Sequence, residues 1–84
     1  KIISNNNINI SAKNIINDGN VLISDNINLI AQNNIDNKNG AIIHADKNLN
    51  ISSTNLNNIG RVNSYGNHVV KYKDKDGNVI EDIN

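Results

Sequence analysis

Gly19-Asn-Val21-Leu-Ile23-Ser-Asp25-Asn-Ile27-Asn-Leu29-Ile-Ala31-Gln-Asn-Asn-Ile35-Asp-Asn37-Lys-Asn39 is the stretch on which the reading of this chain turns. Its apolar residues recur at i, i+2, as in Val21 and Ile23 or Ile27, Leu29 and Ala31. That is the period of a strand, and nowhere does the i, i+3, i+4, i+7 pattern of an amphipathic helix appear. Ile and Val suit a pleated surface, whereas Asn, Asp, Gly and Ser suit turns, where their side chains or left-handed backbone are tolerated.

The same phrase recurs on either side. Gly19, Gly40 and Gly60 lie 20 or 21 residues apart, and two residues after each stands a β-branched aliphatic: Val21, Ile42 or Val62. An aliphatic pair follows, Ile27 and Leu29 in one copy and Leu49 and Ile51 in the next, each closed by a small residue, Ala31 or Ser53. Before each glycine comes aliphatic-x-Asn: Ile15-x-Asn17, Ile35-x-Asn37 and Leu56-x-Asn58. Ile2, Ser4, Ile8, Ile10 and Ala12 fit the places of Val21, Ile23, Ile27, Leu29 and Ala31, so the chain holds about three and a half copies.

A repeat of this size, made of short strands and tight turns, cannot bury its one apolar row alone and must stack on its neighbours. Stacking sets Val21 near Ile42 and Val62, and Leu29 near Ile10 and Ile51. The expected fold is all-β: a parallel β-helix, or solenoid, of about three to four coils. It accounts for the 22 Asn residues, because a residue that repeats at one turn position stacks on its own kind. Asn17, Asn37 and Asn58 are expected to form a ladder of amide-to-amide hydrogen bonds, with Asn14, Asn33 and Asn55 as a second. A leucine-rich repeat has a comparable period and its own Asn ladder, but needs Leu three and five residues before the Asn. Asn34 and Gln32 stand there before Asn37, and Asn55 and Ser53 before Asn58.

Composition sets the outer limits. Eighty-four residues with 37% apolar content allow one small core. Ile, Leu and Val amount to 25 residues, more than disordered chains carry. Without Cys there is no disulfide framework, thiolate metal site or cysteine nucleophile. Eight basic residues balance eight acidic ones, and Tyr65 and Tyr72 are the only aromatics, so a nucleic-acid partner is not expected. No apolar run is long enough for a membrane span or a signal peptide. A chain opening on Lys1 reads as a piece of something longer.

Past Gly60 the template continues through Val62 and Ser64 and then decays. Residues 69–83 instead form two alternating runs around Asp76-Gly77, a hairpin signal. The expected division is residues 1–66 as β-helix repeats and 67–84 as a hairpin or capping segment. With Arg61, Lys71, Lys73 and Lys75, this end is more charged than the coils. It either covers the open end of the stack or projects as a contact surface.

Candidate chemistry is thin. Asp74-Lys75-Asp76-Gly77 has part of the spacing of a calcium loop, but Tyr72 falls on the first ligand position and Ile83 on the closing one, where a bidentate Glu belongs. An ordinary turn is the better reading. His44 and His68 have no Cys or second His at ligand spacing and read as solvated or turn histidines. Asp25 and Asp46 recur one coil apart, and Asp18 precedes a glycine, the makings of a small acidic stripe of the kind used by β-helical glycan-cleaving enzymes; turn residues chosen for their Asx hydrogen bonds are the better reading. No Ser-His-Asp set or phosphate loop can be assembled. Asn9-Ile-Ser11 and Asn50-Ile-Ser52 match the N-glycosylation pattern, but chance alone gives about two such matches in so Asn-rich a chain. No catalytic residue, metal or cofactor is expected, and the chain does not read as an enzyme.

Written as Gly-x-aliphatic-x-small, turn, aliphatic-x-aliphatic-x-Ala, aliphatic-x-Asn, the repeat resembles the filamentous haemagglutinin repeats of large bacterial exoproteins secreted by the two-partner route. Residues 19–39 match best, 40–64 match with one extra residue before Leu49, and 1–18 match in part. The resemblance implies a right-handed β-helix within a long rod at the bacterial cell surface or in the medium. Its members serve as adhesins, cytolysins or stalks that carry a toxin in contact-dependent inhibition. The partners so implied are adjacent coils of the same exoprotein and a receptor or glycan on a host or neighbouring cell. This chain is richer in Asn and Ile than typical members, and lacks the Asn-Pro motif of their secretion domain. Two further readings stand beside the rod: a carbohydrate-binding or carbohydrate-cleaving β-helix, which needs a groove with aromatics and paired carboxylates, and a self-associating β-solenoid fragment.

Overall fold

A computed structural model describes residues 1–73 and 76–83. Among these residues eight strands form one continuous hydrogen-bonded sheet: β1 (Ile2–Ile3), β2 (Asn7–Asp18), β3 (Val21–Lys38), β4 (Ile42–Ser52), β5 (Asn55–Asn58), β6 (Arg61–Ser64), β7 (Asn67–Lys73) and β8 (Val79–Ile83). Every pairing is parallel except the last, in which β8 runs antiparallel to β7. The chain is a parallel β-solenoid of about four turns. No helix among the described residues is long and apolar enough to cross a membrane.

Parallel neighbours in sequence normally need a long crossover; here the coil is its own crossover. The 18-residue β3 bends around three faces. Its first face pairs Val21–Ser24 with Ile42–Ala45, its second pairs Asn26–Ile30 with Asn48–Ser52, and its third pairs Asn34–Asn37 with Asn55–Asn58. The ladder shifts at the corners, between Ser24 and Asn26 and between Ala12 and Asn14.

Inside, aliphatic columns run along the stack. Ile8, Ile27 and Leu49 form one, Ile10, Leu29, Ile51 and Val70 a second, and Ile15, Ile35 and Leu56 a third. Leu29, Ile35, Ile43 and Ile51 are fully buried, each contributing about 2 kcal/mol of burial free energy. On the first face the inward column is Leu22, Ile43 and Val62, not the expected Val21, Ile42 and Val62. Ile2 likewise lies beside Leu22, and Ile3 takes the place beside Ile23 that the pattern gave to Ser4. The runs Val21-Leu22-Ile23 and Ile42-Ile43 are apolar at successive positions, so alternation alone could not choose the inward phase.

The glycines also differ in kind. Gly19 and Gly40 adopt left-handed backbone, with φ of 64° and 73°. Gly60 does not; it lies over Ala41 rather than Gly40, where backbones meet so closely that a Cβ would fall 2.1 Å from the Ala41 carbonyl oxygen.

The C-terminal hairpin forms, with Lys73 opposite Val79. Asp76 and Gly77 stand at its turn, as expected, Gly77 with a φ of 83°. β7 belongs to both parts of the molecule, pairing in parallel with β4 as the fourth coil and antiparallel with β8 on its other edge.

Candidate functional site

Four polar systems are built by these strands. The first is the asparagine ladder on the third face. Asn17 donates from Nδ2 to Asn37 Oδ1 at 2.9 Å, and Asn37 donates to Asn58 Oδ1 at 3.0 Å. Asn17 and Asn37 are buried, and backbone carbonyls complete their bonding: Ile42 for Asn17, Ala41 and Arg61 for Asn37. A polar side chain inside the core is tolerated because its hydrogen-bonding groups find partners. Asn58 Oδ1 also accepts from the Gly60 N–H, which shapes the last corner.

The second ladder runs outside, through Asn14, Asn34 and Asn55, with both amide contacts at 3.0 Å. The middle rung is Asn34, not Asn33, whose contribution is a backbone carbonyl that accepts from Asn55. A third ladder of four rungs, Asn7, Asn26, Asn48 and Asn67, was not anticipated. Its signal was present: each of these residues immediately precedes the first member of the alternating pair on the second face, Ile8, Ile27, Leu49 or His68. Asn28 and Asn50 add one further outer contact at 2.8 Å.

The fourth system is a pair of histidine centres, and it corrects the expectation of solvated or turn histidines. His44 lies on β4 with its side chain 14% exposed. Its Nε2 meets Asp46 Oδ1 at 3.0 Å, its Nδ1 meets Asn63 Oδ1, and its ring packs edge-on against Tyr65 with centroids 4.4 Å apart. His68 lies on β7 at the register position of Leu49, so it ends the Ile8, Ile27, Leu49 column, and its Nε2 meets Asp82 Oδ2 of β8 at 3.2 Å.

That second centre borders a cavity of about 300 Å³ at the end of the stack, lined also by Leu56, Asn58, Val62, Val70 and Tyr72. Leu56, Val62 and Tyr72 are partly buried residues packed on the core. The cavity is the top of the core beyond the last ladder rung.

The acidic stripe does not form. Asp25 pairs with Lys47 at 3.6 Å, Asp46 with His44, and Asp18 accepts from Asn39 Nδ2. Each carboxylate thus faces a donor or cation rather than another carboxylate, and the two tyrosines serve different surroundings. Among the described residues no three His, Cys, Asp or Glu side chains gather to hold a metal ion. The calcium-loop reading rests partly on Asp74 and Lys75, which lie outside the described residues. Neither protein-family models, nor curated proteins, nor solved structures yield a match to this chain.

Proposed function

We propose that the chain is a structural rod segment of a large secreted or surface-displayed bacterial exoprotein resembling filamentous haemagglutinin, acting as a spacer in cell contact or in presenting a distal toxin. What supports this is one observation: the same three faces recur in parallel register from coil to coil, each with its own aliphatic column. Such a stack gains length by repetition, about 4.8 Å per coil, without changing its cross-section. The chemistry present is cohesive, with amides joined to amides and carboxylates to cations or amides.

The reading is tested with antibodies to this chain applied to intact cells of the source organism, before and after protease shaving, and to the culture medium. Detection outside the cell, within a much larger polypeptide, supports the rod. Signal confined to lysed cells overturns it. A glycan-array screen tests the carbohydrate reading, for which no paired carboxylates or aromatic-lined groove speak among the described residues.

A further inference from the structure

Asn39 is the one asparagine of the 22 that is followed by glycine, and the corner it occupies demands that pair. Residues 38–41 form a β-turn closed by the Ala41 N–H, which donates to the Lys38 carbonyl oxygen at 3.2 Å. Both central residues are left-handed, Asn39 with a φ of 57° and Gly40 with a φ of 73°, the signature of a type I′ turn, in which asparagine and glycine adopt positive φ most cheaply. The same choice sets a side-chain amide next to an unshielded backbone nitrogen. Nothing lies within 4 Å of where a Gly40 Cβ would stand, and the Gly40 N–H has no hydrogen-bond partner among the described residues. The corner one coil earlier differs, because after Asp18 the Gly19 N–H is engaged, donating to the Lys38 carbonyl oxygen at 2.9 Å. Asn39 itself is exposed, and its Nδ2 donates to Asp18 Oδ1 of the preceding coil.

We propose that Asn39 is a self-modification site, at which the chain deamidates itself and turns the Asn39–Asp18 contact into a repulsive pair of carboxylates. This goes beyond the rod reading and holds with or without it. The Gly40 nitrogen, as its proton passes to hydroxide or a buffer base, attacks Asn39 Cγ. A Cγ–N bond forms and closes a five-membered succinimide, the Cγ–Nδ2 bond breaks, and Nδ2 leaves with a proton as ammonia. Water then opens the ring. Addition at Cγ restores the original main chain with an aspartate at position 39, whereas addition at the main-chain carbonyl leaves an isoaspartyl link, in which the chain runs through Cβ and Cγ. In sum, one amide and one water give one carboxylate and one ammonium ion, and nothing is oxidised or reduced.

Either product replaces a donor by an acceptor. Asp18 Oδ1, which accepted from an amide, then faces a second negative charge, and among the described residues Asp18 makes no ion pair that would offset it. The isoaspartyl link also lengthens the turn by one main-chain atom, which disturbs the bond from Ala41 to Lys38 that closes it. Lys38 is the register neighbour of Asp18, so the joint that loosens is the one between these two coils. The chain cannot reverse the change, and the corner therefore acts as a slow, one-way timer.

Peptide mapping by mass spectrometry tests this on the full 84-residue chain, held folded at mildly alkaline pH and sampled over weeks, with an isoaspartyl methyltransferase assay to tell the two products apart. Position 39 is expected to convert at least tenfold faster than any other asparagine, with ammonia released in step. Gly40→Ala should slow that conversion at least tenfold. Asn39→Gln, whose longer side chain has to close a larger ring, should nearly stop it and decides the matter should Gly40→Ala fail to fold. For the consequence, Asn39→Asp should lower the melting temperature by about 3 °C, what like charges at an exposed pair cost a chain of this size, and adding Asp18→Asn should restore it by giving the new carboxylate an amide. Conversion spread evenly over the asparagines, none at position 39, or a rate there indifferent to both Gly40→Ala and Asn39→Gln overturns the site. A melting temperature unmoved by Asn39→Asp, or a loss that Asp18→Asn does not recover, overturns the repulsive pair.

Discussion

Gly60 and Ala41 sit one coil apart with their backbones in contact: the N–H of Arg61 donates to the Ala41 carbonyl oxygen at 2.8 Å, and there is no room between the chains for a methyl group on Gly60. Gly40 is the opposite case, with a left-handed φ and open space around its Cα. Gly60→Ala is expected to cost about 3 kcal/mol because the corner must move. Gly40→Ala costs about 1 kcal/mol, the penalty of a left-handed alanine. Denaturant midpoints of the two variants compare them directly, and equal losses would mean that the corner is looser than described.

Asn37 and Asn34 differ in the same instructive way. Both are middle rungs, but Asn37 is completely buried and Asn34 lies on the outer side. Asn37→Ala removes the acceptor of one N–H of the buried Asn17 amide and a donor from the Ala41 and Arg61 carbonyls, and is expected to cost about 3 kcal/mol. Asn34→Ala lets water replace the lost partner and costs about 0.5 kcal/mol. Thermal unfolding followed by circular dichroism should separate them clearly.

Ser24 is buried with a hydroxyl that finds no hydrogen-bond partner among the described residues, and its register neighbour one coil on is Ala45. Ser24→Ala is therefore expected to stabilise the chain by about 1 kcal/mol. A lowered melting temperature would show that the hydroxyl is satisfied in solution.

His68 ends an otherwise aliphatic column. His68→Leu continues that column and gives up one contact to an exposed Asp82, whose worth is small. A gain of about 1 kcal/mol is expected in a chemical melt. By contrast, Leu29→Ala at the centre of the stack should cost about 3 kcal/mol, the usual loss for a core cavity.

The third face was legible in the sequence because Ile15-x-Asn17, Ile35-x-Asn37 and Leu56-x-Asn58 combine an inward aliphatic with an inward amide at fixed spacing, and in two of the three copies the intervening residue, Asp36 or Asn57, is polar. The second face was legible for the same reason at Ile27 and Leu29. The first face was not. Three apolar residues in a row at Val21–Ile23 satisfy either phase, and the glycine used to align it mixed two kinds of corner, left-handed at Gly40 and sterically forced at Gly60. The histidines escaped because their settings are made largely by residues far away in sequence, Asn63 and Tyr65 for His44 and Asp82 for His68, while Asp46, two residues from His44, is the one local partner.

The corner between the third and first faces has three residues after Asn17, four after Asn37 and two after Asn58, yet the strands that flank it keep their register. Length changes are absorbed there and nowhere propagated. For a gene encoding such a stack, small insertions and deletions in these few codons are nearly silent, while a single residue gained or lost inside a strand turns a whole column inside out. The corner is where the lineage can experiment.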